Sequence, residues 1–118
     1  ILTSSNGTTW TSRTSGTSNT LYGVSYANST FLAVGGTGTI LTSSDGTTWT
    51  SKTSGSTSTL RGLTYGNNTF VTVGSSGSLP TINKTFLTSS DNGTSWTLRT
   101  SDISNNIETG HLRGVTSR

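Results

Sequence analysis

A chain of 118 residues is long enough for one modest domain. Hydroxyl side chains dominate it, with 28 Thr and 22 Ser, while Leu, Ile, Val and Phe together number 23 and only 9% of residues are charged. The lack of Cys excludes disulfides, thiolate metal sites and a cysteine nucleophile. So few apolar residues approach the composition of disordered chains, but those also carry a high net charge, and here it is only +3. Periodicity therefore has to decide. The seven Lys and Arg are spread along the chain, whereas a phosphate-tracking surface gathers its cations on one face, so nucleic acid is not an expected partner. No apolar run approaches the roughly 20 residues of a membrane span.

In chain order, the first block, Ile1-Leu-Thr-Ser-Ser-Asn6-Gly7-Thr-Thr-Trp10, reads as a strand, a turn and the start of a second strand. Residues 21–26 read as the first strand of a complete unit, and Ala27-Asn28-Ser29 as a hairpin turn. Residues 30–34 read as strand two, residues 35–38 as a Gly-rich turn, and residues 39–43 as strand three. Asp45-Gly46 then turns the chain into strand four, residues 47–53. The whole pattern returns. The block at Ile1 recurs at Ile40, 39 residues on, and again at Phe86, a further 46. An insertion at residues 78–84 accounts for the difference. The repeat units are 1–39, 40–85 and 86–118, one domain in all, with strand one beginning near residues 21, 60 and 112. Ile1 falls in mid-pattern, so the natural N-terminus is expected upstream.

No segment reads as a helix, because Thr and Ser are poor helix formers and Gly recurs every few residues. Residues 31–34 and 70–73 are apolar on both faces, as strands between two neighbouring sheets must be. Strand four is polar apart from one Trp, as an outer edge should be. All-β architecture with β-propeller blades, about three four-stranded repeats, fits that gradient. A closed propeller has about four to eight blades, so further blades of a longer chain, or self-association, are expected to complete it. A β-solenoid is the competing architecture.

The turn Ser89-Ser-Asp91-Asn-Gly93-Thr-Ser95-Trp96 resembles the Asp-box (BNR) pattern at every position. The turns around Asp45, Gly46 and Trp49 and around Asn6, Gly7 and Trp10 are one residue shorter. The repeats are also similar to those of photosystem II assembly factors. Both resemblances imply a propeller and a structural role for these turns. Asp or Asn before Gly bonds its own turn backbone, and Gly supplies the positive φ. The Trp residues are expected to bury much apolar area, with a loss of ~3–5 kcal/mol on truncation where burial is full.

The Asp-box resemblance raises sialidases, which would need an arginine cluster, a Tyr–Glu pair and an Asp acid on inner strands. Tyr22, Arg61 and Arg113 hold equivalent places in strand one and are candidate ligand-binding residues. With Asp45 and Asp91 assigned to turns, only Asp102 and Glu108 remain as acids, a poor fit to the paired carboxylates of most glycosidases. His111 stands alone and suggests neither triad nor metal site. No catalytic residue, metal or cofactor is expected. Arg13, Lys52 and Arg99 share one place three residues after each Trp and read as solvated cations. Sequons at Asn6, Asn28, Asn67, Asn83 and Asn92 lie at expected turns and are glycosylation candidates. The functional expectation is a non-catalytic extracellular or cell-surface module, structural or adhesive, that is glycosylated, glycan-binding or polymerising. A fragment of a sialidase-like hydrolase and an assembly factor for a membrane complex are the alternatives.

Overall fold

Ten strands and one 3₁₀ turn make up the fold in a computed structural model that describes residues 1–77 and 83–99. The chain is all-β, in three antiparallel sheets. A short hairpin comes first: β1 (Leu2–Thr3) pairs β2 (Thr11–Ser12). The first four-stranded sheet is a meander of β3 (Leu21–Ala27), β4 (Thr30–Gly35), β5 (Ile40–Ser43) and β6 (Thr50–Lys52). The second repeats it with β7 (Thr59–Gly66), β8 (Thr69–Ser76), β9 (Asn83–Ser89) and β10 (Thr97–Arg99). Among the described residues no helix is long and apolar enough to cross a membrane.

Local chemistry explains the boundaries. The β3–β4 turn places both Asn28 and Ser29 at positive φ (50° and 60°), and the β7–β8 turn does the same with Asn67 and Asn68 (52° and 59°). Two left-handed residues match the right-handed twist of the flanking strands. Strand four is shorter than its sequence implies, Thr50–Lys52 in place of residues 47–53. The N–H groups of Thr47 and Thr48 are taken by the Asp45 carboxylate and so cannot enter the ladder. The Gly-rich turn after β4 contains a 3₁₀ turn, Gly36–Gly38. Its Gly36 N–H bonds Thr20 O and its Gly38 N–H bonds Ser58 O, tying it to the segments that lead into β3 and β7.

The pairing registers sort each sheet into two faces, since partners across a ladder point the same way. One face of the first sheet carries the rows Val24–Ala33–Leu41 and Tyr26–Phe31–Ser43; we call it the front. Its back carries Gly23–Val34–Ile40–Lys52 and Ser25–Leu32–Thr42–Thr50. In the second sheet the front rows are Leu63–Thr72–Leu87–Leu98 and Tyr65–Phe70–Ser89. The back of the first sheet packs on the front of the second. Leu32, Val34 and Ile40 meet Leu60, Phe70 and Leu87 in one fully buried cluster, with Ala27, Leu63, Tyr65 and Trp96 at its margin. The scarce apolar residues are thus concentrated where two sheets meet, where each adds about 1.5–3 kcal/mol of burial. Buried hydroxyls are bonded as well: Thr72 Oγ1 donates to Gly62 O at 2.7 Å, and Ser58 and Thr85 share a bond of 2.6 Å. Such pairing avoids the penalty of an orphaned buried polar group.

None of the three Trp residues meets the condition of full burial. Trp10 is 57% exposed and Trp49 and Trp96 are half-buried. Trp49 lies 6.3 Å from the Phe31 ring on its own sheet, and β1–β2 has no such aromatic strand beside Trp10. The cost of truncating any of them is therefore lower than full burial implies.

Candidate functional site

The first strands of the two four-stranded sheets, β3 and β7, lie side by side across the sheet interface, and they bring two of the three candidate ligand residues together. The Arg61 guanidinium carbon sits 4.6 Å from the centroid of the Tyr22 ring, a cation–π contact. Tyr22 is 48% exposed, and Arg61 Nε is buried with no hydrogen-bond partner. Arg113 lies outside the described residues, as do His111, Asp102 and Glu108. Among the described residues no three metal-ligating side chains converge.

The other two carboxylates are engaged in turns. In the shorter turn, Ser43 Oγ accepts from Gly46 N–H at 2.8 Å, and Asp45 Oδ1 accepts from Thr47 and Thr48 N–H at 2.8 and 2.9 Å. Trp49 Nε1 donates to Gly46 O at 2.9 Å, closing the motif. The first turn has the same bonds with Asn6: its Oδ1 accepts from Thr8 and Thr9 N–H at 2.8 and 2.9 Å, and Ser4 Oγ from Gly7 N–H at 2.7 Å. One oxygen makes these backbone bonds, so the neutral Asn6 amide can make them as Asp45 does. The third turn uses both oxygens of Asp91, Oδ1 from Ser95 N–H and Oδ2 from Ser95 Oγ. The Ser95 hydroxyl and amide hold the Asp91 carboxyl down at about 2, against an ordinary 3.8. Bonds from Thr48 and Thr47 N–H lower that of Asp45 in the same direction.

The extra residue of the third turn does something the sequence did not reveal. Asn92 takes φ 66° and reaches across to the neighbouring sheet. Its Nδ2 donates to Thr30 Oγ1, and its Oδ1 accepts from Asn28 Nδ2 at 3.1 Å. The turn of one sheet is thereby clamped to the β3–β4 hairpin of the other. The signal was the one-residue difference in turn length, but its target was visible only in three dimensions. The clamp also separates the sequons, because a glycan would be attached at the amide nitrogen. Those of Asn28 and Asn92 are engaged, whereas Asn67 stands exposed at the β7–β8 turn. Asn6 is exposed with its oxygen committed to the turn, and Asn83 falls at the start of β9.

Two of the three cations at the shared position bridge their own hairpins: Arg13 Nε donates to Thr3 Oγ1 at 2.9 Å and Arg99 Nε to Thr88 Oγ1 at 3.0 Å. Finally, a cleft of about 700 Å³ opens between β1–β2 and the front of the first sheet, bordered by Ile1, Tyr22, Val24, Phe31 and Trp49. A scan against protein-family models finds no match, and neither the curated proteins nor the solved structures offer one.

Proposed function

We propose that the chain is a run of β-propeller-type blades acting as a non-catalytic scaffold outside the cell, with Tyr22 and Arg61 on its inner strands offered to anionic sugars. The observation that carries this reading is the fate of the carboxylates. Asp45 and Asp91 are acceptors in turns; Asp45 borders the cleft that Tyr22 lines, but its Oδ1 is committed to the N–H groups of Thr47 and Thr48. Most glycosidases use two carboxylates at controlled separation, and a sialidase-like site needs a Glu beside its Tyr and an Asp acid, whereas recognition of a sugar carboxylate needs a cation and an aromatic face. The low charge, the abundance of Ser and Thr and the near-identity of the units support a repeated extracellular role over one asymmetric active site.

An Arg61 Nε that is buried without a partner favours one second reading, a sialidase-like hydrolase with its acids elsewhere. A glycan array and an aryl-sialoside hydrolysis assay on the purified chain separate the two. The scaffold reading expects retention of sialylated or uronic glycans, weakened by Arg61→Ala, with no turnover. Turnover that disappears in Arg61→Ala overturns it, and so does an array with no glycan retained.

A further inference from the structure

The pair Asn–Gly occurs twice in the chain, as Asn6-Gly7 in the first turn and Asn92-Gly93 in the third. A glycine after asparagine leaves its own nitrogen unhindered by a side chain, so that nitrogen can attack the asparagine amide. The two sites start alike: Gly7 N–H donates to Ser4 Oγ at 2.7 Å and Gly93 N–H to Ser89 Oγ at 2.9 Å. Their asparagine side chains differ. Asn6 Oδ1 accepts from Thr8 N–H, Thr9 N–H and Ser4 Oγ at 2.8, 2.9 and 3.1 Å, while its Nδ2 makes no bond among the described residues. Asn92 is held at both ends by the other sheet, Nδ2 on Thr30 Oγ1 and Oδ1 on Asn28 Nδ2. Its glycine is hemmed in as well: Gly93 is buried, and an added Cβ would lie 2.6 Å from a Leu32 methyl and 3.2 Å from the Thr42 methyl. Asp91, which holds the place of Asn6 in the third turn, is exposed with the neighbouring four-stranded sheet complete beside it. Its bonds stay within its own turn. The place that Asn6 occupies therefore faces water even in a finished sheet interface.

From this we infer that Asn6 is a site of spontaneous deamidation, and that the clamp of Asn92 on Asn28 and Thr30 shields Asn92 from the same reaction. The Gly7 nitrogen bonds Asn6 Cγ, the Cγ–Nδ2 bond breaks, and the Gly7 amide proton leaves with Nδ2 as ammonia. Charge that builds on Oδ1 during the attack is met by the three donors already aimed at it. Water then opens the cyclic imide at one carbonyl or the other, giving aspartate or isoaspartate. Aspartate fits the turn unchanged, since Asp45 draws on the same donors in Ser43 Oγ, Thr47 N–H and Thr48 N–H. The product turn has the sequence of the second one, Ser-Ser-Asp-Gly-Thr-Thr-Trp, and one more negative charge. At Asn92 the reaction has to break the clamp. Attack turns the amide out of its bonds to Thr30 and Asn28, and an aspartate has no hydrogen to donate to Thr30 Oγ1. The inference goes beyond the scaffold reading and does not depend on it.

The test is incubation of the 118-residue chain at mildly alkaline pH, native and in urea, with amide loss followed by mass spectrometry of tryptic peptides. Trypsin separates the two sites, Asn6 in residues 1–13 and Asn92 in residues 85–99. In the native chain Asn6 is expected to deamidate about tenfold or more faster than Asn92, because two hydrogen bonds between sheets must open at Asn92 first. In urea the clamp is gone and both sites read Asn-Gly-Thr, so the two rates are expected to converge. Asn28→Ala changes an exposed side chain and removes one of the clamp bonds. In the native state it is expected to raise the Asn92 rate severalfold and to leave Asn6 as it was. Circular dichroism establishes that the variant is folded; Asn28→Ser replaces it if it is not. A native chain in which Asn6 keeps its amide as long as Asn92 does overturns the inference. So does a folded Asn28 variant in which Asn92 stays as slow as in the wild type. Rates in urea that differ as much as the native ones overturn it too, because the turn sequence and not the clamp would then set them apart.

Discussion

Tyr65 and Tyr26 hold the same place in the repeat and stack on equivalent phenylalanines, at 4.6 Å from Phe70 and 4.5 Å from Phe31. Yet Tyr65 is half-buried and Phe70 fully so, while Tyr26 is 59% exposed and Phe31 half-buried. The residues, pairing and register are the same; the neighbouring sheet is what differs. A strand with this pattern stores its stability in an interface that it cannot make alone, as repeat units generally do. The comparison teaches that burial here is a property of the stack and not of the sheet.

The largest expected effect breaks that equivalence directly. Phe70→Ala empties a fully enclosed site among Leu32, Leu60 and Leu87 and is expected to cost ~3–5 kcal/mol. Phe31→Ala, at the equivalent position, removes a half-exposed ring and should cost about half as much. Urea unfolding of both variants measures the difference. Equal losses would mean that the front of the first sheet is as well covered as that of the second, and they would sink the comparison.

The clamp sharpens the same contrast at smaller scale. Asn92→Ala removes two inter-sheet hydrogen bonds, to Thr30 and from Asn28, and is expected to cost about 1–2 kcal/mol. The bond between Asn28 and Asn92 predicts non-additivity: Asn28→Ala should be nearly silent once Asn92 is gone. A fully additive pair in the same unfolding experiment would show that the turn and hairpin are merely adjacent. The shorter turn at Asp45 has no residue to play this part. Its Gly46 instead lies beside Thr3 of β1, where an added Cβ would come 3.7 Å from the Thr3 methyl.

Much of this was legible in the sequence because it depends on near neighbours. The repeat and its hairpin residues locate the strands to within a few positions, and the Ser–Asp–Gly–Trp spacing identifies turns whose bonds all close within seven residues. Arg61 and Tyr22 were matched as equivalent positions, but their contact was not foreseen, since it joins strands 39 residues apart in chain position. The exposure of Trp10 was equally hidden. A Trp is read as buried from its type, while its actual environment is set by whether an aromatic strand like that of Phe31 runs beside it. Asn92 reads in the sequence as a sequon in a longer turn, and its clamp is hidden there because its partners belong to another sheet. Local hydrogen bonds are written in local sequence; sheet-to-sheet contacts are written in pairs of distant residues whose match only the fold displays.

The smallest effect concerns the turns themselves, and here the contrast is between Asp45 and Asp91. Both carboxyls are lowered in the folded chain, Asp91 to about 2 from 3.8. A group lowered on folding adds stability that is complete above its unfolded value and is lost as pH falls toward the folded one. The chain should therefore lose stability progressively from about pH 4 down to pH 2, most of it through Asp91. Asn6 already makes the backbone bonds of Asp45 with a single neutral oxygen, so Asp45→Asn is expected to be almost neutral at pH 7. Asp91→Asn gives up the second oxygen that Ser95 Oγ bonds, so it should weaken the fold at pH 7 and flatten the acid limb. Thermal melts of the two variants at pH 7 and pH 2.5 read this out. If both variants keep the wild-type acid limb, the carboxylates are not what acid attacks. If Asp45→Asn is the more damaging at pH 7, the two-oxygen turn has no special hold on its sheet.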